Sequence, residues 1–182
     1  MILPQSHTLT TRHLNRVFDN TVATYKYYWF LGILDACVKQ GKSRINVWDI
    51  MISMVTNAWY LVNYFRLSFG KSESLYDAIL TLQREYNIPI NIGINELTEM
   101  LQTLIQRREV RRLLNFLQMN VPFRFLRPWI DTSDDKQTVL RSQTFENGCL
   151  YKLEKIDRIW WVEINPAWLP YLRENYDILT SF

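Results

Sequence analysis

Apolar residues recur at helical spacing in the first part of the chain. Between residues 21 and 40 they fall three or four positions apart, at Val22, Tyr25, Trp29, Ile33 and Cys37. This spacing predicts a helix with one apolar face, and Gly41 is a suitable residue to end it. Because residues 27–34 are apolar or aromatic on nearly every side, we expect this helix to lie at the centre of the core.

Two further helices are predicted from capping residues and apolar stripes. One begins after Asn46, whose side chain can accept a hydrogen bond from the first helical turn, and runs to about Phe65. The next begins at Ser72 or Ser74 and ends before Pro89, because proline disfavours helical geometry in the residue that precedes it.

A fourth apolar stripe begins after Asn95 and is divided by a basic cluster. Its members are Leu97, Leu101, Leu104, Ile105, Val110, Leu113, Leu114 and Leu117. The spacing leaves open whether the stripe is one helix or two. The cluster places four guanidinium groups within six positions, at Arg107, Arg108, Arg111 and Arg112.

The pattern changes after Asn120. Residues 121–130 hold two prolines and alternating aromatic residues, which favours short strands. Residues 131–138 are polar and rich in Ser, Thr and Asp, which is typical of a loop. The helical part of the chain is therefore predicted to end near residue 120.

A small antiparallel sheet is predicted in the last part of the chain. Asn147-Gly148 is a strong hairpin signal, and the turn would join residues 143–145 to residues 149–153. Residues 159–164 are rich in β-forming side chains and supply a further strand. Asn165-Pro166 is a favourable cap and first-turn pair, so a terminal helix should follow.

The composition fits a mainly helical α+β fold. Of the 182 residues, 48% are hydrophobic and 14% are aromatic, which is enough to bury a substantial core. We predict a helical body in residues 1–120 and a small antiparallel sheet plus a terminal helix in residues 121–182, packed together as one unit. Strands that follow basic helices are compatible with a winged-helix-like arrangement, in which a helix enters a DNA groove.

Neither membrane insertion nor secretion is expected. The longest charge-free run, residues 50–65, is shorter than the roughly 20 apolar residues of a membrane-spanning helix. Residues 1–11 lack the basic and apolar regions of a secretory signal. The two cysteines, Cys37 and Cys149, fit a reducing compartment, so we expect a cytoplasmic location. Because the chain ends among apolar residues at Phe182, we expect it to belong to a longer polypeptide.

The residue types that catalysis needs are sparse. The histidines are His7 and His13 alone, and the glycines stand singly rather than in a phosphate-binding loop. Asp134-Asp135-Lys136 resembles the acidic-x-Lys signature of one class of metal-dependent nuclease, but its polar neighbours favour a solvated loop. We therefore expect no catalytic residue, no metal and no cofactor in this chain.

The Arg107–Arg112 cluster is the polar feature with the clearest ligand. Guanidinium groups pair bidentately with phosphates, so contact with the DNA backbone is one interpretation. The weaker candidates for DNA contact are Arg12, Arg16 and Lys26. The alternative is a solvated helical face whose arginines are neutralised by Glu96, Glu99 or Glu109. The net charge of +3 is too small to decide between them.

Two groups of residues have both a structural and a binding interpretation. The aromatic residues around Lys26 could form a base-stacking platform, but their density at core spacing favours buried packing. These residues are Tyr25, Tyr27, Tyr28 and Trp29. Asn57 and Asn63 are either hydrogen-bonded core amides or the lining of an internal polar contact.

Four stretches of the chain resemble one known family. They are residues 23–31 (ATYKYYWFL), 57–65 (NAWYLVNYF), 121–126 (VPFRFL) and 164–168 (INPAW). Together they are similar to the N-terminal region of bacterial HNH endonuclease domain-containing proteins. In that family the nuclease module lies further towards the C-terminus, with histidines and an asparagine around a catalytic metal. No residue of this chain matches that motif, so the resemblance supplies no catalytic residue and no metal.

The resemblance implies a non-catalytic accessory region, with DNA and the HNH nuclease module as its partners. A second hypothesis is a protein-interaction or dimerisation module, including a homodimer, that docks through an exposed apolar surface. A third hypothesis, which we favour least, is an independent magnesium-dependent nuclease that uses Asp134 and Lys136.

Overall fold

The computed structural model describes residues 3–6, 8–19, 25–65 and 74–181. Its helices are α1 (Arg12–Phe18), α2 (Tyr25–Leu34), α3 (Val47–Asn63), α4 (Ser74–Glu85), α5 (Ile94–Leu104), α6 (Arg108–Leu126), α7 (Asp135–Ser142), α8 (Leu169–Glu174) and α9 (Tyr176–Thr180). Its strands are β1 (Arg44–Asn46), β2 (Tyr151–Ile156) and β3 (Ile159–Ile164). A π-helical turn, Asp35–Lys39, continues α2, and 3₁₀ turns lie at Glu146–Gly148 and Pro166–Trp168. The mainly helical α+β fold is confirmed.

Helices α2 and α3 pack closely at the centre of the core, as the apolar pattern of residues 27–34 predicted. Trp29 and Trp59, one from each helix, are fully buried. The close approach depends on Gly32, since a Cβ atom there would lie 2.7 Å from Cγ2 of Ile50 and 3.2 Å from its carbonyl oxygen. Residues 21–24 of the predicted helix lie outside the described residues.

Capping residues define the ends of these helices. The Asn46 side chain accepts a hydrogen bond of 2.9 Å from the Trp48 backbone N–H, which confirms the predicted N-cap of α3. Gly41 follows the π-helical turn with a φ of +67°, the left-handed conformation that commonly ends helices. Of the two proposed starts of the next helix, Ser74 is the first residue of α4, and Ser72 lies outside the described residues.

Residues 121–126 are helical, which corrects the prediction of short strands in residues 121–130. Pro122 lies inside α6, where a proline costs about 3 kcal/mol. The helix continues because the apolar side chains around the proline all reach the core, and each contributes roughly 1.5–3 kcal/mol by burial. These buried side chains are Val121, Phe123, Phe125 and Leu126. Burial therefore outweighs the local preference of proline.

The hairpin turn also lies elsewhere than predicted. Asn147 and Gly148 adopt left-handed φ angles of 53° and 66°, but in a 3₁₀ turn that precedes the sheet. The two-residue turn between β2 and β3 is Asp157-Arg158, with φ angles of 49° and 67°. Positive φ at both central residues matches the twist of a hairpin, and aspartate tolerates it without glycine.

The polar segment after residue 130 is a loop only in its first part. Asp134 Oδ1 accepts backbone N–H groups of Lys136 at 2.8 Å and Gln137 at 3.4 Å, and so caps α7. Ser142 and Gln143 then hydrogen-bond the backbone of Leu153, which holds this end of α7 against β2. The predicted loop over residues 131–138 is therefore wrong from residue 135 onwards.

The antiparallel sheet has the order β1-β3-β2. Sequence analysis missed β1, which is three residues long and lies within the predicted helical body. Because β1 pairs with β3, residues from both predicted segments form one sheet, and the boundary at residue 120 falls inside α6. Across the described ranges, no helix is both long and apolar enough to cross a membrane.

Candidate nucleic-acid interface

Four arginines lie at the start of α6 and are called here the basic turn: Arg107, Arg108, Arg111 and Arg112. Helix α5 ends at Leu104 and α6 begins at Arg108. The apolar stripe, which could have been one helix or two, therefore forms two. Arg107 occupies the N-cap position with extended backbone angles, φ −78° and ψ 136°. Val110 and Leu114 anchor the buried face of the helix, which leaves Arg108 and Arg112 exposed on its outer face.

Two arginines of the basic turn are held by the protein itself. Arg111 Nε donates to the Ile105 carbonyl at 2.8 Å, and its Nη2 donates to Gln106 Oε1 at 3.2 Å. Its guanidinium also lies 5.6 Å from the centroid of the Trp48 ring. The Arg107 guanidinium lies 5.7 Å from the centroid of the Tyr86 ring. Arg111 is therefore held by two hydrogen bonds and a ring contact, and Arg107, one turn before it at the N-cap of α6, by a ring contact alone.

The carboxylates expected to neutralise the arginines do not do so. Five ion pairs are formed among the described residues, and none of them involves an arginine of the basic turn. The predicted partners Glu96, Glu99 and Glu109 are exposed side chains outside ion-pair distance. Arg108 and Arg112 are thus exposed at the N-terminal end of a helix, with no carboxylate of the described residues within ion-pair distance, and the backbone dipole adds to their positive charge.

The aromatic partners of the basic turn adjoin the outer face of the sheet. Asn46, which caps α3 through the Trp48 N–H, pairs across the strands with Trp161. The Arg44 guanidinium lies 5.5 Å from the centroid of the Trp161 ring. The arginine–aromatic surface is defined as Arg44, Trp48, Tyr86, Arg107, Arg111 and Trp161. Of these six residues, Arg107 and Arg111 were identified from the sequence. The other four were not, because the pairing of arginines with aromatic rings depends on tertiary contacts between α3, α4, α6 and the sheet.

The three weaker candidates, Arg12, Arg16 and Lys26, lie on α1 and α2 rather than on α6. Arg12 and Arg16 are exposed on α1 and line an open cavity of about 490 Å³ together with Asp19. Lys26 donates to the Val17 carbonyl at 3.4 Å. Burial lowers the pKa of Lys26, and Arg127 and Arg124 lower it further, which places this lysine near the C-terminal end of α6. At 1.5 Å per residue that end is roughly 24 Å from the basic turn.

Core packing accounts for two of the four aromatic residues around Lys26. Trp29 is fully buried and its Nε1 donates to the Tyr151 hydroxyl at 3.1 Å. Tyr28 is also buried, and burial raises its pKa to about 12. The interpretation of buried packing is confirmed for these two side chains, so they cannot stack on a base.

A second polar cluster surrounds Asp35, in the π-helical turn that continues α2. Its Oδ2 accepts hydrogen bonds from Ser53 at 3.3 Å and Asn57 at 3.4 Å, both from α3. Its Oδ1 accepts one from the Tyr176 hydroxyl at 3.0 Å and lies 2.8 Å from Lys39 Nζ. The hydrogen bond to Asp35 raises the pKa of Lys39. One carboxylate therefore joins α2, α3 and α9.

Sequence analysis did not select Asp35, although a signal was present. It is the one acidic residue between Asp19 and Asp49, and most of the side chains around it in the helix are apolar or aromatic. Such a carboxylate needs internal partners when its helix is buried. Asn57 was correctly identified as a candidate for an internal polar contact, and Asn63 donates to the Trp59 carbonyl at 3.1 Å as a core amide.

Removing the Tyr176 hydroxyl tests the Asp35 cluster. We expect Tyr176→Phe to lower the free energy of unfolding by about 1 kcal/mol, because a half-buried carboxylate loses one charge-assisted hydrogen bond. Tyr64→Phe is the matched control, since that ring is 70% exposed, and it should change stability by less than about 0.5 kcal/mol. Equal effects of the two changes in urea denaturation would contradict a structural role for this hydrogen bond.

Of the other candidates for chemistry, Asp134 has a structural role. Asp134 is occupied as the N-cap of α7, and Asp135 and Lys136 are exposed beside it. His13 is half-buried, with its ring centroid 6.0 Å from that of Trp129, and His7 lies outside the described residues. Within the described segments, no three His, Cys, Asp or Glu side chains are grouped closely enough to hold a metal ion.

Comparisons with protein-family models, curated proteins and solved structures give no match to this chain. The similarity to the HNH endonuclease family therefore remains a prediction from the sequence. The function is therefore inferred from the geometry of the basic turn and of the arginine–aromatic surface.

Proposed function

We propose that this domain binds DNA without cleaving it, and that Arg108 and Arg112 contact backbone phosphates. The observation that carries the proposal is the set of four guanidinium groups at the start of a 19-residue helix, with no carboxylate among the described residues in ion-pair contact with them. Arginine pairs bidentately with phosphate, and a helix N-terminus favours anions. Arg107 and Arg111, held against Tyr86 and Trp48, keep the surface in place.

The proposal also includes the kind of protein in which the domain would act. In the HNH endonuclease context that the sequence resembles, it would position DNA for a nuclease module carried by another part of the protein. Two free, buried cysteines, Cys37 and Cys149, support a reducing compartment such as the cytoplasm. Burial raises the pKa of their thiols to about 11 and about 12, so neither is a reactive thiolate at neutral pH.

The proposed docking helix is α6 rather than the helix that adjoins the hairpin. In a winged-helix-like arrangement the hairpin and the neighbouring helix approach DNA together. Here the neighbour of β2 is α7, which begins with Asp134 and Asp135 and whose Arg141 is paired with Glu146. These charges do not favour a phosphate backbone. The basic turn therefore gives the proposal its geometry, and the winged-helix comparison does not.

Binding to a labelled DNA duplex across a salt series tests the proposal. We expect the affinity to fall steeply as salt rises, since each phosphate contact contributes about 0.9 to the slope of log K against log salt. Arg108→Gln/Arg112→Gln should weaken binding roughly tenfold or more at low salt, because charge-assisted hydrogen bonds are lost. It should also reduce the slope by about 2.

Lys136→Gln/Arg173→Gln is the matched control, because it removes two exposed cations from other elements. We expect it to leave the slope almost unchanged. If the two double variants lose equal affinity for DNA, the DNA is attracted by net charge and not by a site on α6. No binding by the unmodified chain at low salt would contradict the proposal altogether.

A protein-interaction module is the second candidate function, and one observation favours it. Phe116 and Met119 lie one turn apart on α6 and are 45% and 43% exposed, so an apolar patch follows the basic turn along the same helix. Sedimentation measures self-association. Self-association that is insensitive to salt, in a chain that does not bind DNA, would favour this function over the first.

A further inference from the structure

The arginine–aromatic surface differs in charge between its two sides. At the sheet side, Arg44 is paired with Glu154 at 2.6 Å, and Lys152 is paired with Glu163 at 3.0 Å. These pairs make the surroundings of Trp161 nearly neutral. At the helix side, the basic turn has no paired carboxylate among the described residues. One surface thus joins a neutral aromatic region to a cationic one.

The two sides lie on elements that follow one another directly along the chain, since β1 ends at Asn46 and α3 begins at Val47. Trp161 lies opposite Asn46 in the sheet, and the Asn46 side chain accepts from the Trp48 N–H at 2.9 Å. The Arg111 guanidinium lies over the Trp48 ring. Arg107 lies one helical turn before Arg111, and its guanidinium lies over the Tyr86 ring. Trp161 and Tyr86 are both partly exposed, and each ring has a guanidinium over it, Arg44 on Trp161 and Arg107 on Tyr86.

We infer that the preferred ligand of this surface is a single-stranded polynucleotide, an inference that rests on the proposed function. Stacking needs the face of a base, and in a duplex these faces are covered by the neighbouring base pairs. A single strand can place bases against the two arginine–ring stacks, Arg44 with Trp161 and Arg107 with Tyr86, while its phosphates meet Arg108 and Arg112. On the sheet side of the surface, Glu154 and Glu163 offset the charges of Arg44 and Lys152, so a duplex phosphate there would gain no net attraction.

Competition between strands of equal length tests the inference. The probes are a labelled oligothymidylate of about 12 nucleotides, oligouridylate of the same length and a duplex of the same length. We expect either single strand to bind more tightly than the duplex at equal salt. The two single-stranded probes distinguish DNA from RNA as the source of the ligand, and a preference for either one supports the inference.

Trp161→Leu and Tyr86→Leu separate stacking from phosphate contact. Each should weaken single-strand binding about tenfold and leave duplex binding almost unchanged. Tyr64→Leu removes a ring at the opposite end of α3 and should change neither. Circular dichroism of each variant, compared with the unmodified chain, identifies any loss of folding, and Trp161→Phe should restore much of the single-strand affinity.

The outcomes separate the two proposals. Tighter duplex binding, or equal effects of Trp161→Leu and Tyr86→Leu on both ligands, overturns the single-strand inference and leaves DNA binding by the basic turn intact. If neither single strand nor duplex binds at low salt, both proposals are wrong. Single-strand preference that depends on the two rings supports both.

Discussion

Phe125→Ala is expected to lower the free energy of unfolding by about 3–5 kcal/mol. The Phe125 ring is fully buried and meets four other aromatic rings at centroid distances between 5.9 and 6.3 Å. These rings belong to Phe18, Phe30, Trp129 and Tyr151. Removing the ring therefore costs both buried area and specific aromatic contacts between α1, α2, α6 and β2. Urea denaturation measures the loss.

Two comparisons make the Phe125 result specific. Phe125→Leu keeps most of the buried apolar volume and should lose less than half as much stability. Phe65→Ala removes a ring that is 62% exposed and should change stability by less than about 0.5 kcal/mol. A loss below about 1 kcal/mol for Phe125→Ala would mean that this position does not sit at the junction of the four elements.

Phe125 also shows where sequence patterns lose their power. Its segment reads as alternating aromatic residues with a proline, a local pattern typical of strands, yet it lies in α6 because several elements bury its side chains. Local preference is a weak guide where tertiary burial is worth more. Helix α3, with its apolar stripe and its Asn46 cap, was predicted correctly because local and tertiary preferences agree there, whereas α5, predicted to begin after Asn95, begins at Ile94 after the N-cap residue Gly93.

The turn residues give a related lesson. Asn147-Gly148 was predicted to form the hairpin turn and does not, although both residues adopt the left-handed φ angles that such a turn needs, so these angles do not determine which turn a pair forms. The register of β2 and β3 was set by their buried residues, Leu153 and Val162, which face each other across the strands. This register places Asp157-Arg158 at the turn. A strand as short as β1 carries too few residues to show an alternating pattern.

The candidate site was only partly predictable for a similar reason. Four arginines close together in sequence could be identified without a fold, since helical spacing alone groups them. Their aromatic partners are distant in sequence: Arg111 contacts Trp48 and Arg107 contacts Tyr86 only after α3, α4 and α6 have packed. The Asp35 cluster likewise depends on Tyr176, which is far along the chain.

Gly32→Val is expected to lower the free energy of unfolding by about 3 kcal/mol. A Cβ at this position would lie 2.7 Å from Cγ2 of Ile50 and 3.2 Å from the Ile50 carbonyl, so α2 and α3 must separate or distort. Gly93→Ala is the matched control, because nothing lies within 4 Å of the added Cβ, and it should cost less than about 1 kcal/mol. Chemical denaturation of both variants compares these losses.

A double-mutant cycle with Ile50 identifies the contact responsible. Ile50→Ala leaves a cavity when made alone, but it removes the atom that the new side chain at position 32 would strike. The double variant Gly32→Val/Ile50→Ala should therefore lose less stability than the sum of the two single losses. Because Ser53 Cβ would lie 3.4 Å from the same added atom, separating the helices should also stretch the bonds that Ser53 and Asn57 make to Asp35. Additive losses would show that the approach of α2 to α3 at Gly32 is not what sets this geometry.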